Sequence, residues 1–540
     1  MLRVLMIALV LLGWPVESLA QSGARADSGR DLGNIDFPTS GSPEAQKHFI
    51  RGVLWLHSFE YPEAREAFQK AQEEEPGFAM AYWGEAMTWN HPLWNRENRT
   101  NARQALGKLA ATGAERLAKA PTAREKDYLK AVELLFSDKE KTQRDQEYAE
   151  FMAGMRQRYP QDLEAASFYA LALLGTCHGE RHIPTYMQAA AVVEEVFLKN
   201  RRHPGALHYL IHSYDDPVHA PLGLRQARLY ADIAPSAGHA LHMPSHIFLA
   251  LGMWDETEDS NIDSYGAGEQ RRQRRGLPVA ERNYHALYWW HYALLQQGRY
   301  REAREKLAIA EEDGSNSSAA RIRHHQALMR ASQIVESRRF EDLPKPAGTE
   351  GLSPAALAAQ LFADGWAALE TGQLEKAAEI LGHMNEQRRL AEQGQRGDTA
   401  GYTRVGPSRT REARVMARQL EGLLAQARGQ EEAALQALRQ AAEWEEEIAA
   451  GFGPPNPVKP SHELLGEALL AADRPQEALE MFEEALERHP NRALSLLGLM
   501  RSADAADHQR TAQEAKERLE EIWDRADEGV GGPQLSSRIR

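Results

Sequence analysis

The 540-residue sequence predicts an all-α fold, a solenoid of stacked antiparallel helix pairs, and three observations carry that expectation. From about Pro43 onward Ala, Leu, Glu, Arg and Gln dominate, and apolar residues recur at spacings of three and four, the period of an amphipathic helix. Alternation of the strand type is absent. A self-similar element also returns: with Gly52 as the small residue where two helices approach, Ala64, Phe68, Ala71 and Pro76 follow 12, 16, 19 and 24 positions later. Small residues let paired helices touch, and a bulky one fills the gap between one pair and the next.

The N-terminus reads as an address. Arg3 precedes an apolar run over residues 4–14, and Ser18, Leu19 and Ala20 place small residues two positions apart, so residues 1–20 are expected to be a signal peptide cut after Ala20. The run is too short for a permanent bilayer anchor, and Gln21 rather than Cys follows the cut, which argues against lipidation. The mature chain is therefore expected to be periplasmic or secreted. Residues 21–42 read as a flexible lead-in, 43–340 as a first helical array, 341–353 as a linker, 354–525 as a second array and 526–540 as a disordered tail. One continuous superhelix is the alternative. Breaks in the period fall at an insertion over 91–127, at the Pro/Gly stretch 343–354, at 393–410 and at 451–460 with its four prolines.

Further copies of the repeat appear as Gly298 with Ala303, Leu307 and Ala310, Gly372 with Ala377 and Leu381, and Gly429 with Ala434, Leu438 and Ala441. A last one is Ala478 with Phe482, Ala485 and Pro490, and Ala478 and Ala512 are 34 apart. In these offsets the chain resembles the tetratricopeptide-repeat (TPR) superfamily, whose unit is two helices with a 34-residue period. The blocks over 203–212 (His-Pro-Gly-Ala-Leu-His-Tyr-Leu-Ile-His) and 239–246 (His-Ala-Leu-His-Met-Pro-Ser-His) look like an exported, His-rich bacterial TPR family of unassigned function. The superfamily implies a helical superhelix and leaves the task open, because such arrays serve many.

Composition narrows the task. Lys plus Arg total 64 against 78 for Asp plus Glu, a net charge of −14, so there is no cationic excess to neutralise phosphates and no nucleic-acid partner is expected. Cys177 is the single cysteine, which excludes an internal disulfide, a zinc finger and an iron–sulfur cluster. No later segment is long and charge-free enough for an integral membrane span. There is no His-Glu-x-x-His, Gly-x-Ser-x-Gly, phosphate loop or dinucleotide fingerprint; His462-Glu463 runs on into Leu464, Leu465 and Gly466. The sequence thus leans away from an enzyme.

The informative feature is a histidine register. Nine of the 20 histidines lie between His178 and His246. His208 and His212 are four apart, as are His242 and His246, so each pair projects from one helix face with Cβ atoms about 5–6 Å apart. The steps from 208 to 242 and from 212 to 246 are both 34, and His178 stands 34 before His212. Equivalent positions on neighbouring first helices point the same way across about 8–10 Å, so these imidazoles are expected to converge on one patch. The metal-ligand set expected from the register is His178, His208, His212, His242 and His246.

The TPR resemblance adds a groove. Assigning Gly252 to the fifteenth repeat position puts His239, His242 and His246 at positions two, five and nine, which in the superfamily line the concave face. The resemblance implies that Asp215, Asp216 and His182 join that wall, that His285, Tyr288 and Tyr292 continue it on one side, and that Trp83, Met87 and His91 continue it on the other. Pro244 suits the first turn of a helix, so His239 and His242 are expected near an approaching turn.

Three uses follow. A groove of this kind binds a protein or peptide partner in the cell envelope, the commonest use of a concave solenoid. An i, i+4 pair echoed 34 residues later supplies the three or four neutral imidazoles of a zinc or copper site, with Asp215 or Asp216 orienting a ring N–H. A hydrolase built from groove His and Asp is the third. Any one of these histidines, taken alone, reads as a satisfied core or surface residue.

Overall fold

The computed structural model describes residues 30–179, 181–393, 407–449 and 451–530. The expected signal peptide, the first part of the lead-in and residues 531–540 lie outside the described residues.

The described chain is an all-α solenoid of paired helices. Pro43–His57 packs on Tyr61–Glu74, Leu163–Gly175 on Ile183–Lys199, Pro204–Tyr214 on Ala220–Ile233, and Tyr284–Gln296 on Tyr300–Asn316. After residue 353 the pairs are Pro354–Glu370 with Leu374–Glu392, Pro407–Ala427 with Glu431–Glu446, Ser461–Ala471 with Pro475–Arg488, and Ala493–Ala505 with Gln509–Ile522. Among the described residues no helix is long and apolar enough to cross a membrane.

The repeat arithmetic has a visible cause. The Phe68 ring fills the space between its own pair and the next: a Cβ built on Gly52 would lie 2.6 Å from it and one on Gly84 2.2 Å from it. Phe482 stands in the same relation to Gly466 and Gly498, at 3.0 and 2.1 Å. Each aromatic ring is thus a wedge that only two glycine-faced helices can clasp.

Three local departures from the sequence expectations have packing reasons. The lead-in is ordered from residue 30: Leu32 and Phe37 are buried and the Asn34 amide donates to the Arg202 carbonyl at 2.9 Å. The insertion after His91 holds a two-residue antiparallel bridge, Asn90–His91 with Arg96–Glu97, before the helices Arg99–Leu109 and Gly113–Lys119. Residues 526–530, read as tail, dock on the Tyr284–Gln296 hairpin. There the Asp527 amide donates to the Gly298 carbonyl at 3.1 Å, and the Arg301 amide donates to the Asp527 carboxylate at 2.9 Å.

The superhelix closes on itself rather than standing open. Its first helix, Pro43–His57, packs on Pro204–Tyr214, a helix buried on every face as its apolar circumference requires. Gly205 permits this, since a Cβ there would lie 2.4 Å from His57 Nδ1. The C-terminal units fold back as well: Trp254 Nε1 donates to the Asn491 carbonyl at 2.9 Å. Arg492, fully buried, donates to the Tyr292 hydroxyl at 2.7 Å, pairs with Glu336 at 2.7 Å and grips Glu463 at 2.8 and 2.9 Å. Burial alone would raise the Glu463 carboxyl, but Arg492 and Lys459 hold it well below the usual range.

Removing this cation leaves two carboxylates buried without their main partner. Arg492→Met is expected to cost about 3–5 kcal/mol, read as a lower denaturant midpoint; an unchanged midpoint would show that the cluster does not hold the two arrays together.

Candidate metal centre

Closure collects six imidazoles at the middle of the molecule. The Pro204–Tyr214 helix starts at Pro204, with the His203 ring accepting from the Ala206 amide at 3.1 Å, and carries His208 and His212 one turn apart. Two short helices, Gly238–His242 and Pro244–Ala250, supply His239, His242 and His246. Pro244 interrupts their hydrogen-bond ladder, yet Met243 between them keeps helical angles, so the His242 and His246 rings remain 4.9 Å apart. Tyr284–Gln296, capped by Asn283, brings His285 within 4.5 Å of the His242 ring.

These six form two groups of three. The donor nitrogens of His208, His212 and His239 lie within 4.8 Å of one another, and so do those of His242, His246 and His285. A third such group, His212, His246 and Asp215, joins them, with the His212 and His246 rings 5.5 Å apart.

Hydrogen bonds fix how three of the rings present themselves. His208 Nδ1 donates to the His57 carbonyl at 2.6 Å, one of the acceptors left over at a helix C-terminus. His242 Nδ1 donates to Asn261 Oδ1 at 2.7 Å, and that amide is itself oriented because its Nδ2 donates to the Thr257 carbonyl at 2.7 Å. His246 Nδ1 donates to Asp215 Oδ2 at 2.5 Å. A ring that donates its Nδ1–H to an acceptor keeps a lone pair at Nε2, and in His242 and His246 those lone pairs face one another. His242 Nε2 is 3.1 Å from His246 Nε2, and His208 Nε2 is 3.1 Å from His239 Nε2. Beside them both nitrogens of His212 are buried and without a hydrogen-bond partner.

Electrostatics keep five of the rings in the ligand form. Burial pushes His208 and His242 down to about 3. His212, His239 and His285 are held well below the ordinary histidine value, by burial first and by the neighbouring rings second. Neutral imidazole is the state that binds transition metals. An aromatic shell surrounds them: Phe59 lies 4.3 Å from His208, Trp289 4.5 Å from His246, and Phe452 6.3 and 6.1 Å from His212 and His246. Phe59 sits at φ 56, a left-handed conformation that costs a bulky residue about 1–2 kcal/mol, and it does so where its ring covers three of the histidines.

The sequence-derived set divides accordingly. His208, His212, His242 and His246 come together, and His239 and His285, read only as groove residues, complete the two groups. Asp215 joins through His246, and Asp216 stands behind it, held by Arg181 at 2.9 Å and His219 at 2.8 Å. His178 does not take part in these groups: the helix carrying its register ends at Gly175, and its ring pairs with Asp145 at 3.0 Å. His182 is exposed and bonds Thr185.

The expected open groove is corrected by burial. Trp83, Met87, Tyr288 and Tyr292 are core residues; Trp83 packs on Phe37, Tyr128 and Phe168, and Tyr292 accepts from Arg492. His91 stacks on Tyr61 at 3.9 Å. The reason is closure, which turns a concave face into an interior. Asn261, the His57 carbonyl, Phe59, Trp289 and Phe452 were not singled out from the sequence. The His57 carbonyl, Phe59 and Phe452 approach from units far along the chain, Asn261 from the helix paired with the His242 turn and Trp289 from one turn beyond His285, and no local pattern marks them.

Neither a family model nor a curated protein matches the chain. Solved structures similar to it are helical. A Cut9–Hcn1 hetero-tetramer of APC/C aligns at 10% identity over 87% of this chain and 78% of that one, with a TM-score of 0.34. The human IFIT1 dimer with PPP-AAAA aligns at 12% identity over 92% and 93%, with a TM-score of 0.33, and yeast Tom70 at 11% over 86% and 96%, with a TM-score of 0.31.

The cover over the rings is testable. Gly453 has φ +88, and a Cβ there would lie 2.4 Å from Trp289. Gly453→Ala is expected to lift the loop that carries Phe452, read as faster hydrogen exchange over residues 451–460 and 284–296 with the rest unchanged. Exchange equal to the parent's would show that the loop is not seated on Trp289.

Proposed function

We propose that this protein is a metal-binding helical solenoid, holding a transition metal, zinc or copper, on the histidines at its centre. One observation carries the reading. His242 and His246 both donate their Nδ1–H to fixed oxygen acceptors, and their Nε2 lone pairs face each other at 3.1 Å. Two lone pairs at that distance repel unless a cation lies between them. Zn–N bonds of about 2.0–2.1 Å put two nitrogens on a tetrahedral ion roughly 3.3–3.4 Å apart, close to what the rings already show. The orphaned nitrogens of His212 add a buried donor in need of an acceptor or an ion. Asn261 and Asp215 act as outer partners that lock the tautomers.

Export after Ala20 is part of the proposal, since an envelope compartment suits a metal-handling protein. A protein or peptide partner in the envelope would meet the rim, where Trp94 and Phe452 are nearly half exposed, rather than the buried rings.

The test is metal analysis of the mature chain after loading and desalting. Stoichiometric zinc or copper is expected, lost at least in large part in His212→Ala and His246→Ala. Asp215→Asn and Asn261→Leu, which keep every ligand, should weaken affinity by roughly 10–100-fold. Metal uptake unaffected by the histidine substitutions would overturn the reading. A hydrolase use of the same His246–Asp215 pair would instead show as turnover that Asp215→Asn abolishes.

A further inference from the structure

The six rings are more than one ion can use. A tetrahedral site takes three or four donors, and here the close nitrogen contacts fall within two separate sets. His208 with His239 and His242 with His246 each bring Nε2 atoms to 3.1 Å, while His212 and His246 face across the gap with ring centres 5.5 Å apart. One ion placed between His212 and His246 would draw on one ring of each set and leave His208, His239, His242 and His285 without a role as ligands. One ion in the second set alone would leave both buried nitrogens of His212 without a partner, which carries a desolvation cost.

The charge of the surroundings selects the ion. Among the described residues Asp215 is the one carboxylate hydrogen-bonded to any of the six rings, through His246 Nδ1. The neighbouring Asp216 is neutralised by Arg181. All six donors are imidazoles and none is an anionic ligand, and Phe59, Trp289 and Phe452 provide an apolar wall. Two divalent ions there would bring four positive charges against one carboxylate, and their mutual repulsion would be about four times that of two monovalent ions at the same separation. Three imidazoles around an open fourth position accept copper as well as zinc, and the shortage of anionic ligands favours the monovalent ion of the two.

We therefore infer, on the footing of the metal-binding reading above, that the centre is binuclear and takes two copper(I) ions. One is held by His208, His212 and His239 and the other by His242, His246 and His285.

The experiment loads the full mature chain with copper(I) without oxygen, in the presence of bicinchoninate as a competing chelator, and with zinc in parallel. Two copper ions per wild-type chain are expected to survive the competitor, with an X-ray absorption edge of copper(I) and three nitrogen scatterers per ion. His239 and His285 are half-buried and end one set each. His239→Ala and His285→Ala are each expected to fall from two ions to one, with circular dichroism reporting the fold. One copper per wild-type chain overturns the binuclear centre while leaving the metal-binding reading intact. Two zinc ions that excess copper(I) cannot displace overturn the choice of ion. No metal on the wild-type chain overturns the underlying reading itself. Because the wild-type stoichiometry decides first, a variant that fails to fold does not shield the inference.

Discussion

A neutral imidazole buried in an apolar interior has one N–H that needs an acceptor and one lone pair that needs a donor or an ion, and three of the six rings here give their N–H to groups outside the cluster. The rest of this structure is arranged around that requirement. The three acceptors that settle the ring orientations come from three distant places: the His57 carbonyl, the Asp215 carboxylate and the Asn261 amide. No single repeat unit supplies them. His208 is held once the first helix returns to its unit, His242 once the helix Trp254–Arg274 packs behind it, and His246 once Pro204–Tyr214 brings up Asp215.

A second buried network anchors this closure from behind. His57 donates or accepts through both ring nitrogens, at 2.8 Å to the Tyr209 hydroxyl and 2.6 Å to Glu164, and Glu164 also meets His203 at 3.1 Å. Burial would raise the Glu164 carboxyl, but the His203 and His57 rings outweigh it and hold it well below the usual range. The same residue, His57, thus offers its side chain to the structural network and its carbonyl to His208. Rigid support of this kind is what keeps donor nitrogens in place when they are not paired with each other. The aromatic shell completes it, excluding water from five rings whose basicity is already depressed by burial.

Much of this was legible from residue spacing, and some of it was misleading. The 34-residue echo correctly puts His212 beside His246, at 5.5 Å. It also suggests His178 as a third member, and there the helix stops at Gly175 and the chain turns away. Contacts fall at an offset of 31 as well, in His208 to His239 and Asp215 to His246, because successive helices are staggered by about one turn against each other. That stagger is invisible in the sequence. It is why His239 ranks as a ring partner in the structure and only as a groove residue in the spacing, whereas His285 reaches His242 from the next unit at an offset of 43.

The sequence by itself determined the helix pairs, the aromatic wedges at Phe68 and Phe482 with their facing glycines, and the two i, i+4 histidine pairs. All of these depend on neighbours within about one repeat, where chain connectivity limits the geometry. Tertiary structure alone decided that the solenoid closes, that its concave face becomes an interior, and that the imidazoles divide into two groups of three. The curvature of a superhelix is the sum of many small rotations between units, so whether residue 57 meets residue 208, or Phe452 settles over His246, is settled only when all of them are added.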